Sequence, residues 1–433
     1  MFFMVVVAAL NAPISLLSGA ALSLKNIVVA LFWSVIRTLD FCIKKVVGVK
    51  LTAVIEERIA GGVRYVKVTL PASSEGKCTA HINQMKAGSL QRARRGHILE
   101  KVLQASPVRE LNMARLGAPM APQAVLEETL DLKPAVFRSN PDFYDYAGDL
   151  RESAVWVDFA ASGLGGGLIR EQGFVQEERM LAELPAVVRY MIARYPDEEV
   201  IRNPDASPRP LMMLDVDRVR AVDAAGEFYG RDLREREPGL PMDQFVARTV
   251  QDLPAPFRKI NILAIALLNL GGGARLEQQL SLGVLRQIYV TIHQGFSLAR
   301  LSKGEDASVH SGRIGCGAFH NHPDFVYLVQ RLLASHFGLE LALHAYDDLD
   351  AGRLNGWWTE LLPRLNGISG EQAIRIIGQF VLVKAREHEA AVAAARAAAA
   401  AREAVAPVGD AAPATDAPGG AVPVVDPALG VGP

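Results

Sequence analysis

Three acids stand where this chain could do chemistry: Asp158 and the neighbours Glu177 and Glu178. Asp158 interrupts a short apolar run, VWVDF at 155–159, which has the pattern of a buried strand. Gly163 and the triplet Gly165-Gly166-Gly167 follow. Consecutive glycines let backbone N–H groups approach an anion with no Cβ in the way. Eight residues later, Gln176-Glu177-Glu178 opens the helix-like run MLAELPAVVRYMIARY. A helix start adds a field that favours phosphate. Two carboxylates would repel a phosphate in a site that only binds. They fit a site in which one of them exchanges a proton. Neighbouring helical residues point about a hundred degrees apart, so the pair is expected to divide the work rather than flank one bond. Their closeness is expected to raise one pKa. The plain alternative is a charged first helical turn, where acids are ordinarily favourable.

A second string, SGRIGCGAF at 311–319, is also glycine-rich. Cys316-x3-His320-x-His322 has metal-like spacing, but no further ligand pair stands nearby in sequence, so no metal is expected. Cys316 has no identifiable activating partner and is expected to be inert. Gly271-Gly272-Gly273 is expected to be a helix stop rather than a second phosphate loop.

The string DFA-x4-GGG-x8-QEE, running from Asp158 to Glu178, resembles the signature of the poly(ADP-ribose) glycohydrolase family. The GCGAF segment is similar to that family's TGNWGCGAF. The resemblance covers roughly 149–384 and is specific at these two motifs. It implies hydrolysis of the ribose–ribose bond of ADP-ribose polymers. Glu178 would be the general acid and base, and Glu177 would orient the ribose. Gly165, Gly166 and Gly167 would hold the diphosphate, Gln176 would position their loop, and Asp158 and Phe159 would shape the strand end. Gly317 and Ala318 would set backbone against the diphosphate, with Phe319 beside the ribose. Phe228 or Tyr229 would stack on adenine, and Tyr346 would lie near the ligand. The partner implied is poly(ADP-ribose) or an ADP-ribosylated protein, with no cofactor. Two departures stand out. Ala161 replaces the Asn that usually follows DFA, and Arg313-Ile314 replaces Asn-Trp; Arg313 could pair with phosphate instead. The alternative is a non-catalytic ADP-ribose-binding macrodomain in a membrane-associated interaction protein.

These motifs need a frame. With 433 residues, half of them hydrophobic, the chain can hold a sizeable core. Its 46 basic and 47 acidic residues give no global electrostatic case for sequence-specific nucleic acid binding. Three scattered cysteines exclude a disulfide framework. Strands alternate with helices from Val155 onward, so the expected class is α/β. The resemblance makes it a macrodomain-like three-layer α/β/α sandwich with a mixed sheet, plus an N-terminal hydrophobic helical segment and an accessory region. Residues 1–46 are apolar enough for membrane-associated helices, or for a buried helical pair. Residues 47–105 are expected to be an accessory region, with a Gly61-Gly62 hairpin and a basic helix at 86–101. That helix could touch a polyanion or simply present a solvated face. Residues 106–148 form a linker or helical layer, 149–385 the macrodomain-like unit, and 386–433 an Ala-rich helix and a disordered tail. A monomer is expected. The compartment stays open between cytoplasm, membrane and delivery into a host cell.

Overall fold

The apolar run around Val155 becomes a central strand of one mixed sheet. In the computed structural model the described residues are 54–140, 149, 151–169, 175–222, 239–254, 258–344 and 348–405. The apolar head at 1–46, Phe228, Tyr229, Tyr346 and the tail from 406 lie outside them. The strands of the main sheet are β1 (Val54–Ala60), β2 (Val63–Thr69), β3 (Glu110–Leu116), β4 (Phe137–Asn140), β5 (Ala154–Phe159), β6 (Leu211–Arg218), β9 (Arg258–Ile265), β10 (Ser308–Ser311) and β11 (Glu340–His344). Their order is β1-β2-β3-β6-β9-β5-β10-β11-β4. β9, β5, β10, β11 and β4 run parallel, so their carboxyl ends share one edge. The other four pair antiparallel, and β7 (Arg220–Val222) with β8 (Val250–Asp252) forms a separate ribbon.

Strand alternation sends successive side chains to opposite faces. Val155, Val157, Leu263 and Ile265 join one buried cluster, while Trp156, Asp158 and Ile262 are buried outside it. Helices cover both faces. α1 (Ser74–Lys86), α2 (Leu90–Gln104), α4 (Gln176–Ala182), α5 (Pro185–Arg194) and α6 (Met242–Thr249) pack together on the Trp156 and Asp158 side. On the other side lie α3 (Pro122–Glu127), α8 (Leu282–Lys303), α9 (Pro323–Phe337) and α11 (Gly370–Val405), with the short α7 (Leu276–Gln279) leading into α8 and α10 (Asp348–Leu361) beside α9. This is the three-layer α/β/α arrangement with a mixed sheet.

The hairpin turn is where its glycines place it: Gly61 and Gly62 have φ of +58° and +78°, the left-handed pair that suits a two-residue β-turn. Several expectations need correction. Strands β1 to β3 belong to the main sheet, so 47–105 and 106–148 are not an accessory region and a linker beside it. Gly271-Gly272-Gly273 stops no helix, because β9 ends at Ile265 and a loop carries the chain to α7. α11 runs through residue 386 without a break, since Ala-rich sequence continues a helix readily. In α2, Arg94 and Arg95 are buried rather than solvated or free for a polyanion. Among the described residues no helix is long and apolar enough to cross a membrane.

α8 approaches the sheet closely at Gly295. A Cβ there would lie 2.5 Å from Ile265 Cδ1 and 3.0 Å from its Cγ1. We expect Gly295→Val to destabilise the fold by about 1–3 kcal/mol through overpacking. A urea midpoint equal to that of the wild type would contradict this packing.

Candidate active site

The parallel strands end beside two loops, one after β5 and one after β10. The first loop and α4 are tied together by side chain to backbone bonds. Gln176, first in α4, accepts the Phe159 N–H at 3.0 Å and donates to the Val157 carbonyl at 3.2 Å, so it grips the end of β5. Glu177 accepts the Gly165 N–H at 2.7 Å on one oxygen and the Ala161 N–H at 3.0 Å on the other. Glu178 accepts the Gly167 N–H at 2.8 Å and turns back to accept the Val175 N–H at 3.0 Å. The second of these is the returning half of a capping box. Glu178 therefore caps its helix as well as facing the glycine turn.

Gly166 sits over both acids. A Cβ at this position would lie 2.6 Å from Glu177 Oε2 and 2.6 Å from Glu178 Oε1, and φ is +46°. No side chain fits there. Gly165 faces Met191 of α5 on the other side, and its φ of +90° favours glycine. The turn thus needs glycine to lie between the acids and α5 rather than to embrace an anion, and its Gly165 and Gly167 amides already have partners.

The acids are nearly sealed, with Glu177 4% and Glu178 5% exposed. Asp158 is fully buried on the same face, and neither of its oxygens has a hydrogen-bond partner. Burial first, then the charge of Glu178, pushes the Asp158 pKa well above the carboxylate range. Burial also raises Glu177, reinforced by Asp158 and Glu178 and opposed by the amides of Ala161 and Gly165. Glu178 is raised by burial as well, against the Gly167 and Val175 amides and the positive charge of Arg95.

A further residue of the site, set among basic neighbours in sequence, is Arg95. Its Nη1 donates to the Gly167 carbonyl at 2.8 Å from the buried face of α2. The signal was there: Arg95, Ile98, Leu99 and Val102 follow the i, i+3, i+4, i+7 spacing of an inward helical face. A second missed group is Asp149, His310 and His344. His310 Nε2 lies 2.9 Å from Asp149 and Nδ1 3.1 Å from His344 Nε2, with Trp156 stacked on the His310 ring at 3.8 Å. Burial would raise Asp149, but bonds from Arg151 and His310 outweigh it and hold this carboxyl well below its usual range. Burial lowers the His310 pKa, against the raising effect of Asp149. No local pattern marks this group, because His310 and His344 come from different strands and Asp149 from the chain before β5.

The second loop joins the first at Phe159, whose Cζ lies 3.1 Å from where a Gly312 Cβ would be. Gly315 takes φ +63°, and Asn321 braces the turn by donating to the Gly315 and Leu268 carbonyls. Gly317 and Ala318 are exposed and Phe319 is half-buried, its carbonyl accepting the Leu270 N–H at 3.1 Å. Arg313 pairs with Asp350 at 3.0 Å. Burial raises the Cys316 thiol far above its usual range, which suits an inert cysteine.

Among the described residues, one group of three has metal-like spacing, and it is not Cys316 with His320 and His322. Glu128 takes His293 Nε2 at 2.8 Å and His336 Nε2 at 3.1 Å. The Asp131 N–H donates to His336 Nδ1 at 3.3 Å, so in the neutral ring the proton sits on Nε2. That lone pair is then unavailable to a cation, and the group fits a hydrogen-bonded clamp on α8 and α9.

No protein-family model matches the chain, and no curated protein matches it. Solved structures do. The poly(ADP-ribose) glycohydrolase of Thermomonospora curvata is similar at 13% identity, covering 67% of this chain and 99% of that one, with a TM-score of 0.35. Its form bound to the inhibitor ADP-HPD is similar at 13% identity over 67% and 100%, TM-score 0.35. The poly(ADP-ribose) glycohydrolase of Deinococcus radiodurans in complex with ADP-ribose is similar at 18% identity over 62% and 98%, TM-score 0.38. TM-scores this low lend no weight to any activity of this chain.

An unfolded aspartate titrates near ~4. Folded Asp158 titrates well above that. Between the two values unfolding releases a proton, so this group makes wild-type stability fall as pH rises, by at most about 1.4 kcal/mol per pH unit. Asp158→Asn removes that dependence. Its melting temperature relative to wild type should therefore climb between about pH 5 and pH 8. A difference that stays flat across this range would show that Asp158 is not protonated in the fold.

Proposed function

We propose that the chain hydrolyses the ribose–ribose glycosidic bond of ADP-ribose polymers at the Asp158, Glu177 and Glu178 cluster. One observation carries this reading: the DFA-GGG-QEE residues converge on two adjacent acids whose pKa values burial raises. A proton donor for a leaving sugar needs such a raised pKa. Glu178 gives its proton to the departing ribose oxygen as the bond to the anomeric carbon breaks. Water then adds to that carbon and returns a proton to Glu178. Glu177 orients the ribose hydroxyls. Asp158, protonated and buried behind them, keeps negative charge from accumulating in the cluster. Because the Gly165 and Gly167 amides hold the acids, the diphosphate falls to the exposed Gly317 and Ala318 of the second loop. Phe319, Phe228 or Tyr229, and Tyr346 remain the proposed ribose and adenine contacts. The substrate is poly(ADP-ribose) or an ADP-ribosylated protein.

A second reading is ADP-ribose binding without turnover. It is favoured by the occupation of all four glutamate oxygens by amides and by Ala161, which offers the scissile ribose no side-chain amide.

Release of ADP-ribose from the polymer decides between them. Wild type should turn over, and Glu178→Gln should lose about 10²–10⁴-fold in kcat while still binding ADP-ribose. Binding without release in both proteins would sink the hydrolase and leave the second reading. Arg95 bears on the same acid. Its charge lowers the Glu178 pKa, so Arg95→Met should move the alkaline limb of kcat/KM upward. A limb that stays in place would remove Arg95 from the proton donor's surroundings.

A further inference from the structure

β1 is the outer strand of the main sheet among the described residues, and its two isoleucines face water. Ile55 is 62% and Ile59 69% exposed, unusual for isoleucines at regular positions in a strand. Charges on an edge strand ordinarily prevent pairing. Here their order does the opposite. The strand reads Val54-Ile55-Glu56-Glu57-Arg58-Ile59-Ala60. Laid antiparallel on a second copy of itself and centred on Glu57, it sets Ile55 against Ile59, Glu56 against Arg58 and Val54 against Ala60, each pair twice.

The backbone permits this register. In an antiparallel ladder alternate residues turn their N–H and C=O groups outward. The Gly61-Gly62 turn closes the hairpin on the Ala60 and Val63 pair. That assigns 56, 58 and 60 to β2 and leaves Ile55, Glu57 and Ile59 facing out. Centred on Glu57, outward residues meet only outward residues, so each such pair is a hydrogen-bonded one. The single like-charge contact is Glu57 with its symmetry mate. Arg64 lies 2.6 Å from Glu57 and offsets that repulsion in both copies.

We propose that this chain forms a two-fold symmetric homodimer by antiparallel pairing of β1 with β1, which continues the sheet from one protomer into the other. The interface is isologous, as two-fold dimers require. β1 stands five strands from β5, about 24 Å at the usual strand spacing, so pairing leaves both acid clusters uncovered. Dimerisation is thus separable from hydrolysis.

Sedimentation of the full chain tests the proposal. Wild type should dimerise at micromolar concentration. Glu56→Arg alone sets Arg against Arg, and Arg58→Glu alone sets Glu against Glu. Each should weaken self-association about tenfold or more. An equimolar mixture of the two variants sets Arg against Glu at both contacts and should recover a one-to-one heterodimer, which also shows that both variants fold. Glu57→Gln keeps a hydrogen bond to Arg64 but removes the like charges at the axis, and should tighten the dimer. A monomeric wild type, single variants that dimerise as wild type does, or a mixture that stays monomeric would each overturn β1 pairing. Association that ignores all these charges would point instead to residues 1–46.

Discussion

Four backbone N–H groups hold two carboxylates out of water beneath a glycine turn, and the rest of the site follows from that. Two carboxyl groups with so little solvent must retain protons or find donors. This structure does both. Ala161, Gly165, Gly167 and Val175 supply one donor to each glutamate oxygen, while burial raises the pKa values of both glutamates and of Asp158. Gly166 follows from the same constraint, because any side chain at that place would sit on the carboxylates.

The sheet explains why these groups meet. Parallel strands bring their carboxyl ends to one edge, where ligands of α/β proteins characteristically lie. β5 delivers Asp158 on the face opposite the large apolar cluster, and α4 packs on that face to bring Glu177 and Glu178 alongside. Gln176 then locks the helix start to the strand end. Trp156 and His310 stack on that same side of the central strands, where His310 meets Asp149.

Arg95 shows a limit of reading charge from sequence. A run with Arg92, Arg94 and Arg95 suggests solvent or a polyanion, yet two of the three arginines are buried and Arg95 reaches the glycine turn. The apolar residues three, four and seven places further on were a better guide than the charges. Burying a guanidinium is costly unless it is hydrogen-bonded, so an arginine on an apolar helical face implies a partner inside.

Local pattern was sufficient for the hairpin at Gly61-Gly62, for strand β5 and for the helix that opens at Gln176. Each is specified by neighbours in sequence: glycine's tolerance of left-handed backbone, apolar periodicity, acids at a helix start. Three matters were decided only by folding. Whether β1 to β3 form a separate region or extend the sheet depends on pairing between β3 and β6, about a hundred residues apart. Whether the glycine amides face a ligand or the glutamates depends on where α4 docks. And whether Asp158 keeps its proton depends on how completely the helical layer removes water, because burial is a property of the packed whole.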